Sequence, residues 1–197
     1  MSKLPIEYYR QEDVLFLSKD LLGKFLMTKI GPEVTGGMII ETEAYRAPED
    51  RASHAYGYKR TKRNAPMYLQ GGIAYVYQCY GIHALFNIVT NDFDHPHAVL
   101  IRGIIASDGI PTILKRRGSS KLTPSLAVGP GKVSQALGIT LEHNTLPLTG
   151  PKIWVEDRGI QVSDNAIIVG PRVGVDYAGK DALLPWRFRL PLNFMKL

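Results

Sequence analysis

The stretch GGMIIETEAY, residues 36–45, has the composition of a β-strand and places two glutamates and a tyrosine at alternate positions. Successive side chains of a strand point to opposite faces of its sheet. The alternation therefore predicts one face that carries Ile39, Glu41, Glu43 and Tyr45. Two interpretations of this face stay open: the solvent-exposed surface of a sheet edge, or two carboxylates and an aromatic ring directed into one pocket.

The rest of the chain has the pattern of many short strands and few helices. Further strand-like runs occupy residues 25–30, 72–81, 84–90, 97–104, 152–157, 166–175 and 186–192. Helix-like runs occupy residues 12–24, 110–118 and 131–138. Because strands and helices do not alternate regularly, we expect an α+β fold: a single domain over residues 1–197, with a curved, largely antiparallel β-sheet and short flanking helices. Residues 46–72 show no sustained period and predict a long loop, which in a compact domain is usually functional.

The composition limits what the protein can be. The first residues lack the apolar region of a signal peptide and no apolar run approaches membrane-spanning length, so we expect a soluble, intracellular protein with no membrane contact. Cys79 is the only cysteine, which excludes an internal disulfide, a cysteine-type zinc site and an iron–sulfur cluster. Its position between tyrosines in an apolar run predicts a buried, inert thiol.

The basic residues are clustered in the sequence. The net charge is +6, and two blocks stand out, KRTKR at 59–63 and KRRGSSK at 115–121. Such blocks either form ordinary solvated surface or bind polyanions, above all phosphate backbones.

A second group of aromatic residues lies in the run YVYQCYG, residues 75–81. Alternation places Tyr75 and Tyr77 on one face, with Tyr80 at the end of the strand. These rings are either core residues or a platform for nucleobases, since each stacked base contributes ~1–3 kcal/mol. A carboxylate near such a platform can deprotonate a water that attacks an N-glycosidic bond. If the base belongs to a duplex, the nucleotide must first rotate out of the stack.

Two other functions stay open on these residues. The first is metal-dependent hydrolysis, although the spacing matches no metal motif. Its candidate ligands are Glu41, Glu43, Asp50, His54, His95 and His97. The second is a non-catalytic nucleic-acid-binding module, which accounts for the charge and the tyrosines but not for acids directed into a pocket.

Several motifs together resemble one known family. They are IIETEAYRAPEDRASHAYGYKRTKRNAPMY, YVYQCYGIHALFNIV, AVLIRGI, GPGKVSQALGI and PRVGV, in this order. In order and nearly in spacing they resemble the alkyladenine DNA glycosylase family, the vertebrate-type 3-methyladenine-DNA glycosylases with bacterial members. The resemblance runs from about Val14 to Leu190.

The resemblance implies a monofunctional glycosylase of base excision repair that excises alkylated and deaminated purines from duplex DNA. In that family the second glutamate of ETEAY is the general base, which corresponds to Glu43. Arg102 and the main-chain carbonyl of Val173 correspond to groups that hold the attacking water. The resemblance gives Glu41 no chemical role.

The resemblance also implies a set of base-pocket residues. The flipped base lies between Tyr45 on one side and a wall of His54 and Tyr77 on the other. Asn87 corresponds to the asparagine that crowds the 2-amino group of normal guanine.

Contacts with the DNA duplex follow from the same comparison. Tyr80 corresponds to the residue that fills the gap left by the flipped nucleotide, and Ile82 stands beside it where some members carry methionine. Lys132, near a helix N-terminus, is expected to meet a phosphate. The KRTKR block contributes further expected DNA contacts, which are Lys59, Arg60, Lys62 and Arg63.

We therefore expect an enzyme that needs no cofactor and no metal. Its partner is double-stranded DNA that contains damaged purines, and we expect it to act as a monomer. The implied location is the cytoplasm of a bacterium, on the nucleoid when the enzyme is bound to DNA. No lysine stands in the motif where a Schiff-base nucleophile belongs, so strand cleavage is not expected.

Overall fold

A computed structural model describes residues 2–194 as an antiparallel sheet flanked by short helices. The strands are β1 (Ser2–Lys3), β2 (Phe25–Lys29), β3 (Val34–Arg46), β4 (Ala74–Cys79), β5 (His83–Thr90), β6 (His97–Asp108), β7 (Ala127–Val128), β8 (Ile153–Asp157), β9 (Ile168–Gly170) and β10 (Arg187–Arg189). The α-helices are α1 (Ile6–Tyr9), α2 (Val14–Asp20), α3 (Ile110–Arg117) and α4 (Pro130–Leu137). Single 3₁₀ segments occupy Tyr56–Tyr58, Ala65–Tyr68, Leu141–His143, Asp164–Ala166 and Asp176–Leu183.

The sheet has the main order β1-β8-β2-β3-β6-β5-β4, and every pairing in it is antiparallel. The remaining strands extend it, because β10 pairs with β3, β9 with β10 and β7 with β6. The predicted α+β fold with a largely antiparallel sheet is therefore confirmed. Within residues 2–194, no helix has the length and apolar character needed to cross a membrane.

The long strand β3 lies at the centre of this sheet. Its first part pairs with β2, its later part pairs with β10, and β6 runs along its other side. Glu41 and Glu43 are both buried. The interpretation of residues 36–45 as a solvent-exposed sheet edge is therefore wrong.

A β-bulge interrupts the alternation within β3. Ile39 pairs with Ile104 and Glu41 with Gly103, so Ile40 has no partner across the ladder. A bulge places one extra residue on a strand and shifts the faces of the residues that follow. Ile39 consequently packs with Ile40 in the main hydrophobic core, and the prediction that it shares a face with the two glutamates was wrong.

The helices follow their sequence signals closely. Asp13 caps α2 by accepting hydrogen bonds from the main-chain N–H groups of Leu15 and Phe16, at 2.9 and 3.0 Å. Gly23, with φ of 84°, follows the helix in the left-handed conformation. The predicted helices at 110–118 and 131–138 are also confirmed as α3 and α4.

The predicted strand at 166–175 was wrong over most of its length. Only β9 is extended and paired, and the chain leaves the sheet after Gly170. Pro171 has no N–H to donate to a sheet, and the side chain of Arg172 is directed inward to Asp50. This departure brings the main-chain N–H of Val173 to Glu43 of β3.

Candidate active site

Glu43 lies at the centre of a hydrogen-bonded group with none of its surface exposed to solvent. The main-chain N–H of Val173 donates to its Oε1 at 2.8 Å, and the hydroxyl of Tyr45 donates to its Oε2 at 2.8 Å. Burial raises the pKa of the Glu43 carboxyl, and Arg102 and these two donors oppose the rise. A carboxylate with a raised pKa accepts a proton more readily than an ordinary one.

Arg102 joins the two glutamates of the strand. Its Nε lies 3.2 Å from Oε1 of Glu41 and 3.3 Å from Oε1 of Glu43. Arg187, on β10, donates from its Nε to the same Glu41 oxygen at 2.6 Å. Glu41 is thus held between two guanidinium groups and keeps Arg102 beside Glu43. The alternation argument found the two acids, but it gave no sign of Arg187.

A cavity of about 600 Å³ opens beside this group. Every residue expected at the flipped base lines it, together with both groups expected to hold the water: Tyr45, His54, Tyr77, Asn87, Arg102 and Val173. Glu43 itself has no surface on the cavity, but three of its neighbours do. The volume is in the range of sites that take small organic molecules.

Aromatic rings form one wall of this cavity. The rings of Tyr75 and Tyr77 lie 5.3 Å apart on the face that alternation predicted. His54 packs edge-on against Tyr77 with 4.7 Å between the ring centroids, and its Nδ1 is 2.8 Å from the hydroxyl oxygen of Tyr75. Burial, together with the charge of Arg63, lowers the pKa of His54 to about 4. The histidine is therefore a neutral ring at pH 7.

Asn87 closes the cavity from β5. It is buried, and its Nδ2 donates to the main-chain carbonyl of Tyr75 at 3.1 Å. This bond fixes the amide side chain against the strand that carries the tyrosines. Its expected contact with the 2-amino group of guanine stays a prediction.

Sequence reasoning missed a buried ion pair that supports the site. The side chain of Arg172 is fully buried, and its Nη2 donates to Oδ1 of Asp50 at 2.8 Å. Its Nη1 also donates to the main-chain carbonyl of Ala44 at 2.9 Å. Arg172 therefore ties the segment that carries Val173 to the strand that carries Glu43. A lone arginine in the apolar run IIVGPRVGV was the available signal.

Asp50 and Cys79 differ from their sequence interpretations. Asp50, a candidate metal ligand, is the partner of Arg172. Among residues 2–194, no group of three or more His, Cys, Asp or Glu side chains is placed to hold a metal ion. The prediction that Cys79 is buried was wrong: it is half-buried and lines the cavity, because β4 ends there at an exposed turn.

The turn between β4 and β5 projects two apolar side chains into solvent. Tyr80 is 87% exposed and Ile82 is 76% exposed. Tyr80 has a φ of 50°, and Gly81 follows with a φ of 71°. Exposed rings at the tip of a hairpin are suited to insertion between bases.

The basic residues fall into different environments. Lys59, Lys62 and Lys132 are exposed to solvent. Arg60 pairs with Asp94 at 2.6 Å, an exposed contact. In the second basic block, Arg116 and Arg117 donate to main-chain carbonyls, so these two guanidinium groups hold the fold together.

Comparison with known proteins adds a family and a set of relatives. A family model described as "Methylpurine-DNA glycosylase (MPG)" matches residues 7–193. The protein named "Putative 3-methyladenine DNA glycosylase" in Chlamydia felis (strain Fe/C-56) is 51% identical over 194 residues, which cover 98% of each chain. A protein of the same name in Bacillus licheniformis is 40% identical over 96% of this chain and 94% of its own. Another, in Desulfitobacterium hafniense (strain Y51), is 39% identical over 96% of each chain.

Proposed function

The chain belongs to the methylpurine-DNA glycosylase family, and on this premise we propose that it flips alkylated or deaminated purine nucleotides out of duplex DNA and cleaves the N-glycosidic bond with a water activated by Glu43. The family and its relatives show that the chain is a DNA glycosylase, a hydrolase of N-glycosyl bonds that acts on methylated purines.

The observation that carries the mechanism is the environment of Glu43. Its carboxylate is buried beside a cavity of purine-accommodating size and is oriented by Val173, Tyr45 and Arg102. In the reaction, the water oxygen bonds to the C1′ carbon of the damaged nucleotide and its proton passes to Glu43. The C1′–N bond breaks, and its electron pair leaves with the purine. The negative charge of Glu43 also stabilises positive charge on the sugar.

Two further groups hold the water in this proposal. Arg102 and the main-chain carbonyl of Val173 both belong to residues that line the cavity. The main-chain N–H of Val173 already donates to Glu43. Val173 would therefore orient the general base through its N–H and position the attacking water through its carbonyl.

The base itself is held by stacking. We place the flipped purine between the ring of Tyr45 and the wall of His54 and Tyr77, where stacking contributes ~1–3 kcal/mol per base. Asn87 excludes normal guanine by crowding its 2-amino group. Tyr80 enters the duplex and offsets part of the unstacking cost, which is a few kcal/mol.

The proposed product is an intact strand with an abasic site. No residue that lines the cavity within the described chain is a lysine, so no amine is at hand for a Schiff base. Purified enzyme should leave the strand uncut until alkali or heat is applied. Direct nicking with an adduct trapped by borohydride would contradict this mechanism.

Excision assays test the function as a whole. Duplexes carrying 3-methyladenine, 7-methylguanine, hypoxanthine or ethenoadenine should release free base, and excess EDTA should leave the rate unchanged. Tight binding without release of any base would favour a non-catalytic DNA-binding module. A loss of activity in EDTA that zinc or magnesium restores would favour metal-dependent hydrolysis.

A further inference from the structure

Arg63 is separated from the other basic residues of its block. Lys59 and Lys62 are exposed, and Arg60 pairs with Asp94. Arg63 is exposed as well, but its guanidinium carbon lies 4.9 Å from the ring centroid of Tyr77, within the range of a cation–π contact. Its Nη2 donates to the main-chain carbonyl of Gln78 at 3.3 Å, and the residue lines the same cavity as the base-stacking rings.

The charge of Arg63 is not neutralised by a carboxylate. Among residues 2–194 no acidic side chain forms an ion pair with it. The other two arginines near the cavity differ in this respect, because Arg102 is paired with the two glutamates of β3 and Arg172 with Asp50. The aromatic wall therefore carries a net positive charge beside the place where the base would stack.

The charge of Arg63 changes the pKa of two neighbouring side chains, His54 and Tyr75. The pKa of His54 is lowered to about 4, mainly by burial and in part by the charge of Arg63. Burial raises the pKa of Tyr75, and Arg63 opposes that rise. Arg63 thus lowers the pKa of both side chains, as expected for one cation that disfavours the charged imidazolium and favours the phenolate.

We propose that Arg63 sets the preference of the cavity between neutral and cationic purines. Methylation of guanine at N7 or of adenine at N3 gives a nucleoside with a positive ring, whereas hypoxanthine is neutral and offers acceptors at O6 and N7. The guanidinium of Arg63 repels the cationic methylated purines and can donate hydrogen bonds to the acceptors of hypoxanthine. Arg63 thus disfavours cationic N-methyl purines and favours neutral deaminated ones, an inference that rests on the proposed function.

Variants of Arg63 separate charge from shape. In single-turnover assays with enzyme in saturating excess, excision rates are measured on duplexes with 7-methylguanine and with hypoxanthine. For Arg63→Gln we expect the ratio of the 7-methylguanine rate to the hypoxanthine rate to rise roughly fivefold, because one partly screened charge is removed. Arg63→Lys keeps the charge and should keep the wild-type ratio. Lys62→Gln is the matched control: it should weaken binding to both duplexes equally and leave the ratio unchanged.

Three results would overturn the inference. In the first, Arg63→Gln leaves the ratio unchanged and flattens the salt dependence of binding as Lys62→Gln does, which would make Arg63 a phosphate contact. In the second, Arg63→Lys changes the ratio as much as Arg63→Gln, so that charge is not the cause. In the third, Arg63→Gln lowers the ratio. Failure of the proposed function has a different signature, since the wild-type protein would then release neither base. Because Arg63 is exposed, thermal unfolding of Arg63→Gln should match that of the wild type.

Discussion

Burial and hydrogen bonding shift the pKa of the Glu43 carboxyl in opposite directions. Burial, with a smaller contribution from the charge of Glu41, raises its pKa and outweighs Arg102, the Val173 amide and the Tyr45 hydroxyl, which all lower it. The arrangement keeps a carboxylate in place while leaving it more basic than a solvated one. This combination is what a general base requires.

The raised pKa predicts how excision depends on pH. Only deprotonated Glu43 accepts a proton, so the rate should fall as the pH drops through the pKa of this group. Because burial raises that pKa, the fall should be centred above about 4.3, the value of an ordinary glutamate. The measurement is the single-turnover rate against pH, with circular dichroism to verify that the protein stays folded. A fall centred at or below the ordinary value would contradict the argument.

The buried pair of Asp50 and Arg172 should dominate local stability. Asp50→Asn leaves the guanidinium without its charged partner in the interior, which should lower the free energy of unfolding by about 3–5 kcal/mol. Asp94→Asn is the matched control, since its pair with Arg60 is exposed and contributes about 0–1 kcal/mol. Urea unfolding of both variants checks this, and equal losses would show that burial does not distinguish the pairs.

Contacts between residues that are close in sequence could be predicted, whereas contacts between distant residues could not. Glu41, Glu43 and Tyr45 lie close together in the chain, so strand alternation predicted that they would meet. The pair of Arg172 with Asp50 joins residues 122 positions apart, and that of Arg187 with Glu41 joins residues 146 positions apart. Local periodicity carries no information about such partners, because they depend on the order of strands in the folded sheet.

The sequence predicted the type and approximate position of most strands and helices, but not the bulge in β3 or the loop after β9. Three of the four α-helices and most of the strands occur where their patterns indicated, whereas the short helix α1 was not predicted. The bulge at Ile40 was not predicted, since two consecutive isoleucines fit a regular strand as well as a bulged one. The loop from Pro171 to Val175 was mistaken for a strand because its valines suit either state.

The hairpin of β4 and β5 should act as a wedge in duplex DNA. Tyr80→Ser removes the exposed ring at its tip, which also lines the cavity, so unstacking is no longer offset. Excision from duplex should fall about tenfold more than excision from a single strand, equivalent to ~1.4 kcal/mol. Single-turnover rates on both substrates measure this. Equal losses would mean that Tyr80 acts inside the base pocket.

At the scale of the whole molecule, the net charge of +6 should govern affinity for DNA. Binding should weaken steeply with salt, because each contacted phosphate releases a counterion. Lys132→Gln should reduce the slope of log K against log salt by about 0.9, with the order of preferred bases unchanged. Lys152→Gln is the control, since this exposed lysine precedes β8, far from the β4–β5 hairpin in the strand order. An equal effect of both variants would show that the charge acts diffusely.

The fold class could be predicted from the sequence because it depends on the number and length of the strands and helices. Many short strands with few helices leave little alternative to an antiparallel sheet. The cavity was not predictable in the same way. It forms where β3, β4, β5, β6, the loop that includes His54 and the loop after β9 meet, and that meeting depends on long-range pairing.

The role of Glu43 is the central claim, and the excision rate of Glu43→Gln beside that of Glu41→Gln tests it most directly. Glutamine keeps the size of glutamate but cannot take a proton from water. Glu43→Gln should therefore lower the single-turnover rate by about 10²- to 10⁴-fold while the affinity for damaged duplex persists. Glu41→Gln, which loses only its charge between Arg102 and Arg187, should cost less than about tenfold. A dead Glu41→Gln with an active Glu43→Gln, or full activity in both variants, would contradict the assignment of Glu43 as the general base.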